Sequence, residues 1–431
     1  MNLLRTTYSS SSDSEEERDN ISDSDEYGQE CVPPKKPKDD PPSCDDKEKL
    51  AIPSEILSLD PTKTRSKWEK VKPDRQKPPS TEMTETTADD NQGIRQSSSR
   101  SSPPRKRRRY HSLLPSQCTH VYTDHTDKVN RVEWAKPDGR WLLSTSMDGT
   151  VRIWNPHRAD TAACHRFLGH NGEAVREAKW HTTSEKIVSG GYDKTAKLWD
   201  VKTGRIIATY EHPAYVTAIE FDPNTPDLFI AGCYDSTMKA WDVRVNPTTG
   251  AATTYVGSLG QIQDVEFLPD ASFVAASDVV RRNALDRAVA AWDVRSGAIV
   301  SNQIYLELYT CTALKLRPTT GDHFVAQSHG NYIALFSATP PRYAMNKRKR
   351  YEGGHTSAGY PIACSFSPND GAIIASGSSD GSICYYDYRT ARVAKRRRAA
   401  HSACCVDVQF HPLLSNIVAS CGWDSAVKVW Q

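Results

Sequence analysis

Ser189-Gly190-Gly191-Tyr192-Asp193-Lys194-Thr195-Ala196-Lys197-Leu198-Trp199-Asp200 is the stretch on which the fold turns. A turn Asp stands six residues before a large aromatic, and the strand between them alternates apolar and polar residues. The same pair recurs as Asp148/Trp154, Asp235/Trp241, Asp286/Trp292, Asp380/Tyr386 and Asp424/Trp430, with Gly330/Phe336 as a degenerate member. Successive aromatics lie 45, 42, 51, 44, 50 and 44 residues apart. Short apolar runs precede each turn, such as Lys186-Ile187-Val188-Ser189, and alternation of period two in the strand that follows buries one of its faces. Seven such units predict seven four-stranded blades of an all-β propeller. That architecture is a platform for partners and does not itself imply a reaction.

The Asp-to-aromatic spacing and the closing Trp-Asp resemble the WD-repeat family over about three quarters of the chain. A His lies 23 residues before the Asp in four units, as His125, His170, His212 and His401, and His355 lies 25 before Asp380. In that family, His, a Ser four before the Asp, the Asp and the Trp form a hydrogen-bonded chain. The resemblance therefore implies three complete structural networks: His125/Ser144/Asp148/Trp154, His170/Ser189/Asp193/Trp199 and His401/Ser420/Asp424/Trp430. Finer motifs narrow the likeness. Ile299 to Ile304, Gly330 to Ser337, Arg350 to His355, Asn346-Lys347-Arg348-Lys349, Gly359-Tyr360 and Cys421-Gly422-Trp423-Asp424 are similar to a group of WD-repeat proteins related to pre-mRNA-processing factor seventeen. What this implies is a nuclear, non-enzymatic scaffold attached to pre-mRNA splicing, with spliceosomal proteins as partners. Residues 1–112 carry no matching motif.

Ser, His and Asp recurring together do not make a hydrolase triad, because a set repeated in several blades is not one unique site. No Gly-x-Ser-x-Gly elbow and no phosphate-cradling glycine loop occurs. Eleven Cys include no Cys-x-x-Cys, so they read as small core residues of a reducing compartment. No enzyme activity, cofactor, metal or small-molecule substrate is expected.

Apolar residues make up only 37% of the chain, and the deficit sits in residues 1–112, a Ser-, Pro- and charge-rich stretch expected to be disordered. It holds 21 Lys/Arg against 22 Asp/Glu, leaving 34 against 31 beyond it. Bulk charge therefore implies no affinity for nucleic acid. The absence of an N-terminal apolar segment or an apolar run of ~18 residues predicts neither secretion nor membrane insertion. The propeller is expected at 113–431. Its seventh unit stops after three strands, so Gln117 to Tyr122 is expected to add the fourth and close the ring.

Candidate surfaces follow. Arg105-Lys106-Arg107-Arg108-Arg109 fits a nuclear import signal in an accessible tail. The acidic block Ser9 to Glu26 offers Ser14, Ser22 and Ser24 for phosphorylation. Two basic runs, Lys347-Arg348-Lys349-Arg350 and Lys395-Arg396-Arg397-Arg398, map to the outer strands of the neighbouring fifth and sixth blades. They form either a phosphate-binding ridge for RNA or edge protection against strand addition. The residues just before the turn Asp point from the narrow face: Met147, Tyr192, Tyr234, Leu285, His329, Ser379 and Trp423. Tyr192, Tyr234 and Trp423, with Arg176 and Tyr215 as neighbours, make a candidate protein-binding set. A different function class is carried by Trp241-Asp242-Val243-Arg244, Trp292-Asp293-Val294-Arg295 and Tyr386-Asp387-Tyr388-Arg389. These fit the Trp-Asp-x-Arg box of substrate receptors in cullin-RING ubiquitin ligases.

Overall fold

Because alternating strands of this length cannot bury both faces alone, each must be covered by a neighbouring sheet, and the structure does this around a ring. The computed structural model describes residues 114–431 except 159–164, 258–259, 279–287, 303, 306 and 308. The expected import signal, the acidic block and most of the blade-four insertion lie outside the described residues.

Seven antiparallel four-stranded sheets form in chain order. Blade one is Val129–Trp134, Leu142–Ser146, Thr150–Trp154 and His165–Leu168, and blade two is Val175–Trp180, Lys186–Gly191, Thr195–Asp200 and Arg205–Glu211. Innermost strands of consecutive blades pack together all the way round, and blade seven packs on blade one. The seventh sheet takes its outer strand, Cys118–Tyr122, from the N-terminal side, paired antiparallel with Val427–Trp430. Gln117 and Gln431 exchange two backbone bonds of 2.8 Å at the seam.

Burial is more complete than simple alternation predicts. Every residue of Thr150–Trp154 is buried, Arg152 included. A central strand has a blade against each face, so its polar residues need partners inside the sheet. Arg152 pairs with Asp148 and Asp124, and Lys197 with Asp193. Outer strands have the opposite pattern: in Arg205–Glu211 only Tyr210 is fully buried.

Between the first two strands of six blades, the register slips by one residue. Such a bulge leaves one residue of the innermost strand unpaired and re-aims its side chain. Those residues are Asn130, Arg176, Thr217, Gln263, Thr312 and Val406.

The free inner edges need hydrogen-bond partners too, and carboxylates of neighbouring blades supply them. Glu133 accepts the Trp180 amide at 2.8 Å, Glu177 that of Ile219 at 3.1 Å, Asp264 that of Leu314 at 2.7 Å, Glu266 that of Leu316 at 2.9 Å and Asp407 that of Val132 at 3.2 Å. These acids, with Lys179 and Lys315, line a central cavity of about 330 Å³. Lys179 bridges Glu220 at 2.6 Å and Lys315 bridges Glu266 at 2.8 Å.

Candidate protein-binding face

The turns that carry the conserved-spacing Asp residues all emerge on one face, fixed by a backbone bond repeated in each blade. The residue before the turn donates its amide to the carbonyl just ahead of the innermost strand: Met147 to Lys128, Tyr192 to Ala174, Tyr234 to Tyr215, His329 to Thr310 and Trp423 to Cys404, while in blade six Ser379 donates to Thr356, eight residues ahead of Cys364–Phe366. In blade four the position belongs to Asp278, bonded to Gln261. Spacing had assigned Leu285, which lies outside the described residues; an insertion shifts the count there.

Beneath this face, histidine networks lock the turns. His125 stands 2.8 Å from Asp148 and 2.7 Å from the Ser144 hydroxyl, to which Trp154 donates at 2.8 Å. Blade two repeats this with His170, Asp193, Ser189 and Trp199 at 2.9, 2.7 and 2.8 Å, and blade seven with His401, Asp424, Ser420 and Trp430 at 2.9, 2.8 and 2.8 Å. Desolvation pushes these carboxylates up, but the bonds and charge of the histidines together with donors such as Thr150, Thr195, Lys197 and Ser402 hold them below their ordinary range, Asp424 at about 2.

Other blades solve the same problem differently. In blade three, Trp241 donates directly to His212 at 3.2 Å, with Cys233 on the other ring nitrogen, and among the described residues no carboxylate hydrogen-bonds the ring. In blade six, His355 bonds Tyr386 at 2.5 Å and Gln327 at 2.7 Å. Desolvation pulls both His212 and His355 down to about 4. Blade five uses hydroxyls, with Tyr305 bonded to Ser328 at 3.1 Å and to Tyr332. Blade four has no histidine, and Trp292 Nε1 is buried without a partner among the described residues.

Three of the candidate aromatics form one patch. Tyr192, Tyr215 and Tyr234 are 37%, 42% and 56% exposed, with ring centroids 5.2 Å apart for the first pair and 6.1 Å for the second. They span blades two and three. Trp423 is not part of it. It is half-buried in blade seven, edge-on to Tyr360 at 4.8 Å and under the Lys128 ammonium at 4.8 Å. Arg176 is 8% exposed rather than a surface residue, and it is the extra residue of the bulge in the innermost strand of blade two.

The basic runs do lie on the outer strands of blades five and six, Met345–Glu352 and Val393–Arg397, with Arg398 just past the second. Five of the eight cations have partners. Lys349 sits 4.2 Å over the Tyr388 ring, Arg350 pairs with Glu307 and Arg396 with Asp380. Lys395 donates to the Leu114 and Pro115 carbonyls at 3.2 and 2.8 Å, and Arg397 to that of Ser116 at 2.8 Å. These last two clasp the strap that leads into the closing strand, a role the charge run alone did not reveal. Lys347, Arg348 and Arg398 are exposed.

In the first Trp-Asp-x-Arg box, Arg244 is bound by its own Asp242 through two bonds of 2.9 and 2.6 Å. Among the described residues, no three His, Cys, Asp or Glu side chains gather into a metal site. Of the eight described cysteines only Cys118 is exposed.

A closed ring of seven four-stranded blades, pinned by repeated His–Asp–Ser–Trp chains, places this chain in the WD-repeat family. The family model for the WD domain, G-beta repeat, matches residues 116–155, 162–200, 204–242, 347–387 and 394–431. Within the family the chain is similar to WD repeat-containing protein 25 of Mus musculus, 36% identical over 74% of this chain and 58% of the relative. It is also similar to pre-mRNA-processing factor 17 of Homo sapiens, 28% identical over 74% of this chain and 52% of the relative, and to that of Saccharomyces cerevisiae, at 26% over 70% and 64%. The matched span is thus little more than half the length of the first two relatives. The unmatched stretch 243–346 covers blades four and five, the two that lack a histidine network.

Proposed function

We propose that this protein is a non-enzymatic nuclear scaffold that serves pre-mRNA splicing by docking protein partners on its turn face. The observation that carries the reading is the patch of Tyr192, Tyr215 and Tyr234. Exposed, clustered tyrosines cost hydration without filling any core, and such rings dominate protein-binding hot spots. The splicing assignment draws on the likeness to pre-mRNA-processing factor 17 across three quarters of the chain. Nuclear entry is assigned to Arg105, Lys106, Arg107, Arg108 and Arg109.

Affinity purification of the tagged full-length chain from nuclear extract tests this. Spliceosomal proteins and small nuclear RNA are expected with the wild type and are lost with Tyr192→Ala/Tyr234→Ala. Recovery of a cullin adaptor instead would replace the reading with that of a ubiquitin-ligase receptor, although Arg244 is already engaged by Asp242. A reporter fused to residues 95–112 is expected in the nucleus, and cytoplasmic retention refutes the import assignment.

A further inference from the structure

Arg176 is the extra residue of the blade-two bulge: Val175 pairs with Gly191 and Glu177 with Gly190, leaving it between them. At the same position in three other blades, a short polar side chain reaches the next blade's backbone. Asn130 donates to the Val175 carbonyl at 2.7 Å, Thr217 to that of Ile262 at 2.6 Å and Thr312 to that of Ile362 at 2.6 Å. Arg176 makes no such bond. Its guanidinium has no hydrogen-bond or ion-pair partner among the described residues, yet the residue is 92% buried.

No guanidinium nitrogen of Arg176 is sealed from solvent, so this otherwise buried cation holds water where a charged partner is missing, and a better acceptor can displace that water. No nearby acid is free to repair this. Glu177 is taken by the Ile219 amide and faces Arg131 and Lys179, while Asp264 accepts the Val265 and Leu314 amides at 2.9 and 2.7 Å. The neighbouring Arg131 donates to the Pro361 carbonyl at 3.2 Å. Desolvation and the Arg131 charge push Arg176 down to about 10. Ala174, two residues before Arg176, accepts the Tyr192 amide at 2.9 Å, and Val175 pairs with Gly191, so the arginine starts from the same corner of blade two as the exposed tyrosine patch.

We propose that Arg176 is a receptor for a single carboxylate, presented by an acidic peptide segment of a partner whose flanking residues pack on Tyr192, Tyr215 and Tyr234. An Asp or Glu side chain supplies the planar pair of acceptors that a guanidinium fork matches. The setting selects one negative charge over a polyanion. Glu177, Asp264 and Asp407 lie in the channel wall below, and Asp235 and Glu173 are exposed around the patch, so successive RNA phosphates would meet repulsion. This inference rests on the turn face being the docking surface and adds the chemistry of what docks.

The test selects random twelve-residue peptides on phage against immobilised full-length protein, with Arg176→Met and Tyr234→Ala run in parallel. Wild type is expected to enrich peptides bearing Asp or Glu beside apolar or aromatic residues. Arg176→Met is expected to lose the acidic preference at least tenfold while melting at or above the wild-type temperature, because a purely structural arginine would destabilise when removed. Tyr234→Ala is expected to lose the flanking preference and keep the acid. No enrichment, a set without acids, the same set on Arg176→Met, a lower melting temperature for that variant, or an oligouridine that binds only when Arg176 is present would each overturn the proposal. Should Arg176→Met still recover spliceosomal proteins as wild type does, the splicing reading stands and the carboxylate site falls. Acidic peptides selected without spliceosomal recovery give the converse.

Discussion

Asp407 of blade seven accepts the Val132 amide of blade one at 3.2 Å, while its other oxygen takes the Val408 amide and the Gln409 side chain at 2.8 and 3.0 Å. One carboxylate thus ties the last blade to the first on the channel side, where the innermost strands have no further strand to pair with. Because the residue is fully buried, Asp407→Ala strands three donors away from water. A charged acceptor of this kind is worth roughly 3 kcal/mol. Urea denaturation is expected to show that loss, with Asp407→Asn recovering part of it. A loss below about 1 kcal/mol would mean the channel carboxylates are not inter-blade ties.

Acid should weaken the ring through His212 and His355. Both have folded values of about 4, below the ordinary ~6.5 of the unfolded chain. Between those limits the unfolded state holds the extra proton. Their contribution is therefore complete above pH ~6.5 and is lost as pH falls toward 4, about 2 kcal/mol for each by pH 5. Comparing unfolding free energies at pH 7 and pH 5 checks this. His355→Gln is expected to reduce the difference by about that amount, and an unchanged slope would show that the proton is taken up elsewhere.

Blade number, strand order and the seam at Cys118–Tyr122 were legible because each blade must repeat one solution to one packing problem. What escaped the reading depends on contacts between repeats. Tyr234 and Trp423 occupy the same place before a turn, yet Tyr360 and Lys128 cover only the tryptophan. Arg176 and Tyr215 both begin first strands, and the bulge that buries the arginine has no signature in a single repeat. The inter-blade acids carried a usable signal: Glu133, Glu177, Asp264 and Asp407 are carboxylates inside the innermost strands of blades one, two, four and seven, which are packed between neighbours, and such a carboxylate demands a donor. Blade four lost the His, and blade five both the His and the Asp, without losing their sheets, since neighbouring blades bury their strands and Tyr305, Ser328 and Tyr332 replace the network in blade five. Gly330, read as a degenerate turn, has no positive φ, yet an added Cβ would stand 2.5 Å from the Tyr332 ring. Alanine there is excluded by packing and not by backbone conformation.

The strap offers a second test of closure. Removing residues 113–124 deletes the seventh blade's outer strand and exposes Val427–Trp430 as an edge. A chain beginning at 125 is expected to melt well below one beginning at 113. Lys395→Ala/Arg397→Ala should reproduce part of that drop, because the bonds to Leu114, Pro115 and Ser116 are lost, together with the Arg397 guanidinium 5.1 Å over the Trp430 ring, while the closing strand itself stays. Equal melting temperatures for the two truncations would refute the closure.

The basic strands yield the last prediction. If all eight cations met phosphates, RNA affinity would fall with salt at a slope near −6 on logarithmic axes, at about 0.7 per contact for a single strand. Lys395 and Arg397 are committed to the strap, Arg396 to Asp380, Arg350 to Glu307 and Lys349 to Tyr388. Only Lys347, Arg348 and Arg398 remain, and they predict a slope of about −2 with little sequence preference. Filter binding of single-stranded RNA at several salt concentrations measures it. Lys347→Ser/Arg348→Ser should flatten the slope further at unchanged melting temperature, since exposed charges contribute little to the fold. A slope near −6 would show that RNA pulls the clasping residues from their partners, and the ridge would then be a nucleic-acid site after all.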